Sequence, residues 1–193
     1  MRIGLYGGSF NPIHRGHTSL AQSLVEQGLV DEVWLLVSPL NPLKQSSGDI
    51  AGYQHRLCMA ELACREHQGL RVSDFESHLP VPSYTITTLD ALASAFPQHC
   101  FSLVIGADNW HSFGKWYRSD EIIARFPILV YNRPGFSLAE SASSLPATVK
   151  VVDTPLYDVS STELRDLLRQ GERPTQWLAP AVLDYIHEHG LYR

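Results

Sequence analysis

The amino-acid sequence predicts an α/β fold in which helices cover both faces of a doubly wound parallel sheet. Short apolar runs alternate with segments of helical spacing along the 193-residue chain, which is the pattern of parallel strands joined by crossover helices. Runs such as Val33-Trp34-Leu35-Leu36-Val37 are apolar throughout, as in strands that are buried on both faces. A glycine-rich turn after the first run leads directly into a helix, which is typical of phosphate sites in such sheets.

Each element follows from its own pattern. Six apolar runs are predicted to be strands: Arg2–Gly7, Asp31–Ser38, Leu70–Phe75, Phe101–Gly106, Pro127–Tyr131 and Thr148–Asp153. Six segments with helical spacing are predicted to be helices: Gly16–Gly28, Tyr53–His67, Tyr84–Phe96, Asp120–Phe126, Ser160–Arg169 and Pro180–His189. Gly28 can cap the end of the first helix, and Ser119 occupies an N-cap position before the fourth. The aromatic segment 107–117 is predicted to be irregular, and the stretch Ser137–Ala147 carries no readable motif.

Composition limits the class of protein. No linker divides the chain, so a single domain is expected over residues 1–193, with a C-terminal helical part at about 160–193. The formal net charge of −5 argues against a nucleic-acid or membrane binder and favours small-molecule partners. Neither a signal peptide nor an apolar run of roughly 20 residues is visible, so a cytoplasmic protein is expected. The oligomeric state stays open, with a homo-oligomer as one alternative.

The three cysteines indicate neither a disulfide framework nor a zinc site. Their number is odd and no Cys-x-x-Cys pair is present, which fits a reducing compartment. Cys58 and Cys64 lie in an apolar helical pattern, where buried, inert thiols are expected.

The residues with chemical potential are predicted to meet at one crevice. Ligands of such sheets bind beyond the carboxyl ends of the strands, near the point where the strand order reverses. The turn at 7–17 follows the first strand and Gly106-Ala107-Asp108 follows the fourth, and these strands are neighbours in a doubly wound sheet.

The first motif is Gly7-Gly8-Ser9-Phe10-Asn11-Pro12-Ile13-His14-Arg15-Gly16-His17. A turn of this kind leaves N–H groups unpaired at a helix N-terminus, where they can bind a phosphate. His14 and His17 are three residues apart, so a helix brings both imidazoles to one face, where they could stabilise a phosphoryl group as cations or as hydrogen-bond donors. The spacing departs from the Gly-x-Gly-x-x-Gly of dinucleotide dehydrogenases, so hydride transfer is a weak alternative. Each histidine alone would be interpreted as a surface or core residue.

The second motif is Val159-Ser160-Ser161-Thr162-Glu163-Leu164-Arg165. One interpretation is a well-capped helix start, with Glu163 in its first turn. The other is a polyphosphate site formed by the hydroxyls of Ser161 and Thr162 and the guanidinium of Arg165. The two interpretations are compatible.

Together, Gly8-x-x-x-Pro12-x-His14-x-x-His17 and Ser160-Ser161-Thr162-x-x-Arg165 resemble the nucleotidyltransferase superfamily, which has a Rossmann-like fold. Within it, the first motif resembles the bacterial nicotinate-nucleotide adenylyltransferases. The match continues through Pro82-Ser83-Tyr84-Thr85, Gly106-Ala107-Asp108-Asn109, Lys115-Trp116, Arg133-Pro134-Gly135 and the ending at Tyr185–Tyr192.

This resemblance implies that AMP is transferred from ATP to nicotinate mononucleotide in one displacement, giving deamido-NAD and pyrophosphate. The implied catalytic residues are His14, His17 and Arg165, with His17 at the α-phosphate. The further ATP-binding residues that it implies are Gly8, Ser9, Phe10, Gly106, Asp108, Ser161 and Thr162. Mg²⁺ is the implied cofactor, held mainly by the ATP phosphates and by no dedicated protein ligands.

The resemblance also implies an acceptor site for nicotinate mononucleotide. Trp116 would stack on the pyridine ring, although a core anchor is the alternative for such a residue. Thr85 and the N–H of Tyr117 would bind the carboxylate, with Asp108 and Lys44 completing the site. Many relatives have Pro-His-Lys where this chain has Pro42-Leu43-Lys44, so one imidazole is missing from that loop.

The sequence leaves two alternative functions open. One is another adenylyltransferase of this fold, with nicotinamide mononucleotide or phosphopantetheine as acceptor; the phosphopantetheine enzymes usually read Asp-Pro-x-Thr where this chain has Asn11-Pro12-Ile13-His14. The other is a non-catalytic nucleotide-binding protein, which loss of a motif histidine or of Arg165 would have supported.

Overall fold

A computed structural model describes residues 1–39, 50–136, 138 and 145–193 of the chain. The strands of the described part are β1 Arg2–Gly8, β2 Glu32–Val37, β3 Leu70–Ser73, β4 Cys100–Gly106, β5 Ile128–Tyr131 and β6 Val149–Val152. Its helices are α1 Arg15–Glu26, α2 Tyr53–Cys64, α3 Thr85–Ala95, α4 Ala107–His111, α5 Ser119–Arg125, α6 Ser161–Arg169 and α7 Pro180–Glu188. Short 3₁₀ turns lie at Phe75–His78 and Phe113–Lys115.

The six strands form one sheet in the order β3-β2-β1-β4-β5-β6, and every neighbouring pair is parallel. The order reverses between β1 and β4, which pair with Tyr6 opposite Val104. The ends of these two strands, Gly8 and Gly106, therefore open at the same edge of the sheet. This arrangement confirms the predicted α/β fold and the predicted position of its switch point.

Alternate residues of each strand pack into two hydrophobic cores on opposite faces. On β1, Ile3 and Leu5 join the core that includes α3 and α5, whereas Tyr6 joins the core that includes α1, α2, α6 and α7. On β4, Leu103 and Val104 divide in the same way. Because both faces of the central strands β1, β2, β4 and β5 are covered, these strands are mainly apolar rather than alternating, whereas the edge strands β3 and β6 carry the exposed Arg71 and Lys150.

The first helix ends as its sequence predicts. Leu20 and Leu24 are buried on one face of α1, and Gly28 follows the helix with a left-handed φ of 64°. The N–H of Leu29 donates to Leu24 O at 3.1 Å, which closes the end of the helix over the glycine.

Two local predictions were wrong. Part of the segment 107–117 is helical, because α4 and the 3₁₀ turn after it occupy it; both are too short to show a hydrophobic period. Ser119 is not an N-cap: it is the first residue of α5, and Arg118 precedes it in a left-handed conformation with φ 55°. Ser119 is also 8% exposed, since it packs under the aromatic segment.

The three cysteines are all unpaired. Cys64 is buried, and burial raises the pKa of its thiol to about 12, so this residue is the inert thiol that was predicted. Cys58 is only half-buried, because it lies on the side of α2 that faces α7 rather than the sheet.

Two predicted regions lie wholly or mostly outside the described residues, namely the loop Asn41–Lys44 and most of Ser137–Ala147. Within the second of them, Leu138 is buried in the core on the α3 side of the sheet. Among the described helices, none has the length and apolarity that crossing a membrane requires.

Candidate active site

The turn after β1 is shaped by a buried aromatic ring. Phe10 is 2% exposed and has a positive φ of 45°, so its ring folds back beneath Gly8. A Cβ on Gly8 would lie 2.9 Å from that ring. Glycine has no Cβ and so avoids this clash. The ring of Phe10 also packs edge-on against Tyr6 and His17, at centroid distances of 5.7 and 5.2 Å. The Phe10 side chain therefore supports the turn from the core.

The two motif histidines lie against each other at the start of α1. Their ring centroids are 3.7 Å apart, and the N–H of His14 donates to Nδ1 of His17 at 3.2 Å. Since Nδ1 of His17 accepts, the neutral ring carries its proton on Nε2. The helix start thus presents His17 as a donor through one defined nitrogen.

His14 differs from His17 in its electrostatics. It is 7% exposed, and burial together with the nearby charge of Arg133 lowers its pKa to about 4. His14 is therefore neutral at physiological pH and can act on a phosphate only through hydrogen bonds. The sequence left open whether the imidazole acts as a cation or as a neutral hydrogen-bond donor. For His14, the structure favours the neutral donor.

The second motif lies directly against the first. Ser161 Oγ donates to the main-chain oxygen of Pro12 at 3.0 Å, and Arg165 Nη1 donates to that of Asn11 at 3.0 Å. Arg165 Nη2 also contacts Thr162 Oγ1 at 3.3 Å. Residues about 150 positions apart in the sequence therefore form one surface.

Ser160 caps α6 as the sequence predicts. The N–H of Glu163 donates to Ser160 Oγ at 3.2 Å, while the N–H of Ser160 donates to Glu163 Oε2 at 2.8 Å. Ser160 Oγ also donates to Glu163 Oε2 at 2.7 Å, and this hydrogen bond, together with the one from the N–H of Ser160, lowers the pKa of Glu163, so the box persists into acid. Capping and phosphate binding remain compatible, because Ser160 and Glu163 form the cap whereas Ser161, Thr162 and Arg165 face the first motif.

An open groove lies beside both motifs, with about 380 Å³ of space that includes open solvent; it is called the pocket below. On one side it is lined by the start of α1, at His14, Gly16 and His17. On the other side it is lined by the segment 155–159 before α6 and by the end of β5 with the residues after it, up to Pro134. Sequence reasoning assigned no role to either of these two lining segments.

An ion pair closes the pocket towards β4. Asp108, in the first turn of α4, accepts from Arg133 Nη1 at 2.9 Å. A Cβ on Gly106 would lie 2.8 Å from Cδ of Arg133 and closer still to Asp108. Gly106 therefore makes room for the pair. Arg133 is the cation that sequence reasoning missed, although Arg133-Pro134-Gly135 belongs to the resemblance.

Two of the predicted acceptor residues, Thr85 and Tyr117, lie at or beside the start of α3. Thr85 is the first residue of that helix, and the preceding Tyr84 stacks on Tyr117 with ring centroids 4.6 Å apart. The structure therefore brings Thr85 and Tyr117 into one region. Trp116 is half-buried with its ring against Phe113 at 5.0 Å, so one face packs as a core anchor. Lys44 lies outside the described residues.

A buried arginine fixes the turn from below. Arg56 is 2% exposed, and its Nη1 donates to Ser9 O at 2.7 Å and to Ser38 O at 2.8 Å. The same guanidinium donates to Ala51 O at 3.0 Å and to Pro39 O at 3.1 Å. Arg56 thus joins the turn after β1 to the end of β2. Its signal in the sequence was a charged residue in the apolar pattern of α2.

The described residues contain no group of three or more His, Cys, Asp or Glu side chains that could hold a metal ion. Any divalent metal at this part of the site would need oxygen ligands from elsewhere, such as phosphates and water.

Comparisons with known proteins agree with this geometry. Residues 5–167 match the Cytidylyltransferase-like family. A protein of Bacteroides thetaiotaomicron named probable nicotinate-nucleotide adenylyltransferase is 44% identical to this chain over 189 residues, which are 98% of this chain and 92% of that protein. This chain belongs to the nicotinate-nucleotide adenylyltransferase family.

Other members of the nicotinate-nucleotide adenylyltransferase family match over similar lengths. A Bacteroides fragilis protein with the same name is 46% identical over 185 residues, covering 96% of this chain and 90% of that protein. The predicted family is therefore confirmed.

Solved structures share the fold of this adenylyltransferase family member. Plasmodium falciparum nicotinic acid mononucleotide adenylyltransferase complexed with NaAD matches with a TM-score of 0.84 at 21% identity, over 99% of this chain and 97% of that chain. The same enzyme complexed with APC matches with a TM-score of 0.82 at 20% identity, over 99% and 96% of the two chains. At this level of identity the likeness shows the Rossmann-like fold.

Proposed function

We propose that this protein transfers the adenylyl group of ATP to nicotinate mononucleotide, forming deamido-NAD and pyrophosphate in NAD biosynthesis. The observation that carries the proposal is the direct contact of Ser161 and Arg165 with the turn that bears His14 and His17. It joins both motifs of the family into one anion-binding surface beside a pocket. The names of the relatives, at 44% and 46% identity, support the same reaction.

The triphosphate of ATP binds between the starts of α1 and α6. The N-terminus of each helix offers a partial positive charge to an anion. Ser161, Thr162 and Arg165 hold the β- and γ-phosphates. Arg165 is already oriented by its hydrogen bond to Asn11, so little ordering remains to be done when the nucleotide binds.

The reaction needs no nucleophile from the protein. A phosphate oxygen of nicotinate mononucleotide attacks the α-phosphorus of ATP, the bond from that phosphorus to the bridging α,β-oxygen breaks, and pyrophosphate leaves with both electrons. The Nε2–H of His17 donates to the α-phosphate and stabilises the charge that develops there. His14 contributes as a neutral donor, since its ring stays uncharged at neutral pH.

The adenosine part of ATP occupies the pocket beside the helix starts. A Cβ on Gly16 would lie 3.0 Å from Nδ1 of His14 and 3.4 Å from Cβ of Tyr157, so a side chain there would narrow the pocket. Arg133, which pairs with Asp108, is among the residues that line the pocket. We assign Gly8, Ser9 and Phe10, in the turn that leads to α1, to ATP as well.

Nicotinate mononucleotide binds towards α3 and the segment after α4. Thr85 and the N–H of Tyr117 receive the carboxylate, and the helix N-terminus at Thr85 favours its negative charge. Trp116 offers the ring face that Phe113 does not cover to the pyridine ring. We assign Asp108 to both substrates, at the point where they meet. The assignment of Lys44 to nicotinate mononucleotide stays a prediction, because that residue lies outside the described part of the chain.

ATP-dependent adenylyltransferases generally use a divalent metal, and we assign Mg²⁺ to this one. Phosphate oxygens of ATP and water would hold the ion, since the described residues offer no cluster of carboxylates for it. It supplies positive charge to the leaving pyrophosphate. We also place the protein in the cytoplasm, where ATP is made and where its three unpaired cysteines stay reduced.

A pyrophosphate-release assay tests this function. The purified protein is given Mg-ATP with nicotinate mononucleotide, nicotinamide mononucleotide or phosphopantetheine in separate reactions, with His17→Ala as the inactive control. Release is expected with nicotinate mononucleotide above the other two acceptors, because a carboxylate matches Thr85 and the α3 N-terminus. Release only with phosphopantetheine would overturn the acceptor assignment, and no release with any acceptor would support a non-catalytic nucleotide-binding protein.

A further inference from the structure

The end of the chain reaches into the turn that precedes α1. Tyr192, the residue before the last, donates its hydroxyl to Asn11 Oδ1 at 2.7 Å, across 181 positions of sequence. Gly190 turns the chain back after α7 with a φ of 61°, and the N–H of Leu191 donates to Ile186 O at 3.0 Å. Tyr192 itself has a left-handed φ of 61°. Its side chain packs against the core on the α1 side of the sheet. This ending is therefore folded in place.

Asn11 connects this ending to the phosphate site. It is 4% exposed, and its Oδ1 accepts both from Tyr192 and from the N–H of Ala51, the latter at 3.0 Å. The main-chain oxygen of the same residue accepts from Arg165 Nη1 at 3.0 Å. Two hydrogen bonds thus hold the side chain of Asn11, while its main chain holds the guanidinium assigned to the triphosphate.

The Tyr192 hydroxyl stays protonated and can therefore act as a hydrogen-bond donor throughout the physiological pH range. Burial raises its pKa well above the usual range, and the nearby charges of Arg165 and Arg56 only partly oppose that shift. The hydroxyl therefore keeps its proton at physiological pH. Its neighbours are two cations, so a neutral donor between them adds no charge to a site that must attract a polyphosphate.

We infer that Tyr192 is a positioning residue for adenylyl transfer: its hydroxyl fixes Asn11, and Asn11 in turn fixes Arg165 against the phosphates of ATP. The inference rests on the function proposed above. The Tyr192 hydroxyl donates to Asn11 Oδ1, and we assign it no substrate contact, so its effect is expected to pass through Asn11. The Leu191-Tyr192 ending, which the sequence resemblance contains without a role, thereby becomes part of the phosphate site.

This role predicts a particular kinetic pattern. Loss of the hydroxyl loosens the turn and lets Arg165 sample orientations that do not match the transition state. The value of kcat/KM for ATP is expected to fall about tenfold, in line with one lost hydrogen bond in a preorganised site. The KM for nicotinate mononucleotide is expected to stay within about twofold, because Thr85 and Trp116 do not contact this ending.

The test compares Tyr192→Phe with Tyr185→Phe in the full-length protein. Tyr185 is a matched control, because it lies in α7, just before the same ending. Its hydroxyl forms a hydrogen bond with His55 Nδ1 at 3.0 Å rather than with either motif. We expect the tenfold fall for Tyr192→Phe alone, with a melting midpoint that leaves the protein folded at the assay temperature. Equal kinetics for the two variants, or a loss explained by unfolding, would overturn the inference.

A double-mutant cycle and a binding measurement complete the test. Tyr192→Phe introduced into an Asn11→Ala background should have no further effect if the hydroxyl acts through Asn11, whereas an additive effect would contradict that route. Calorimetric binding of the α,β-methylene analogue of ATP should weaken in Tyr192→Phe even without turnover. Absence of activity in the wild-type protein would instead refute the proposed function, so the two failures are distinguishable.

Discussion

Arg165 Nη1 donates to the main-chain oxygen of Asn11 at 3.0 Å, and this contact spans 154 residues of sequence. It joins the helix that starts after Ser160 to the turn that follows the first strand. Neither motif alone can surround a triphosphate, whereas the two helix starts together offer N–H groups, hydroxyls and a guanidinium to one anion. The contact thus turns two separate sequence patterns into one candidate site.

Arg165→Lys should lower kcat/KM by about a hundredfold, because an ammonium cannot bind Asn11 and a phosphate at once with the fork geometry of a guanidinium. Arg169→Lys is the matched control: Arg169 lies one turn further along α6 and pairs with Asp166 at 2.7 Å. Steady-state kinetics with ATP as the varied substrate measure both. Similar values for the two variants would exclude a phosphate role for Arg165.

The pKa of His14 predicts a specific acid sensitivity. Because the folded protein lowers that pKa from 6.5 to about 4, the unfolded chain binds the proton first as the pH falls. This residue's contribution to stability is therefore complete above pH 6.5 and is lost between pH 6.5 and 4. The loss amounts to about 3 kcal/mol at most. Urea unfolding at pH 7, 5 and 4 should show a shallower decline for His14→Gln than for the wild type; parallel curves would contradict the assignment.

Gly106→Ala should disrupt the site at the end of β4. The new methyl would lie within 2.8 Å of Arg133 and would displace the ion pair with Asp108. A cost of about 1–3 kcal/mol in the free energy of unfolding is expected, together with a raised KM for ATP. Gly114→Ala provides the comparison, since nothing lies within 4 Å of a Cβ at that position. Equal stability of the two variants would show that the end of β4 tolerates a side chain.

Trp116→Ala should raise the KM for nicotinate mononucleotide by about tenfold or more and leave the KM for ATP nearly unchanged. Trp110→Ala separates binding from packing, because Trp110 also stacks on Phe113, with centroids 5.2 Å apart. Both variants lose a contact to that ring, but only one loses the proposed pyridine platform. If Trp110→Ala shifts the acceptor KM as much, Trp116 is a core anchor only.

Most of the fold could be predicted because the pattern is local and repetitive. The central strands are mainly apolar runs covered on both faces, and the longer helices follow turn signals and helical spacing. The exceptions were short: α4 spans Ala107–His111, less than two turns, so no period could reveal it. The start of α5 was misplaced by one residue because Arg118 takes a left-handed conformation that its type does not favour.

The candidate site could be predicted only where its residues form motifs. His14, His17 and Arg165 stand in such motifs, and the structure brings their segments together. The neutrality of His14 was not predictable, since it depends on burial and on the charge of Arg133. Contacts such as Tyr192 with Asn11 leave no periodic trace, because they join distant parts of the chain.

The most direct test of the central claim follows the α-phosphorus of ATP. The protein is incubated with nicotinate mononucleotide and ATP that is labelled at the α-phosphorus, or at the γ-phosphorus in a parallel reaction, and the products are separated. We expect the α-label in deamido-NAD and the γ-label in pyrophosphate, with neither label on the protein. The γ-label in an acceptor product, or the α-label remaining in free AMP with nicotinate mononucleotide unchanged, would contradict it.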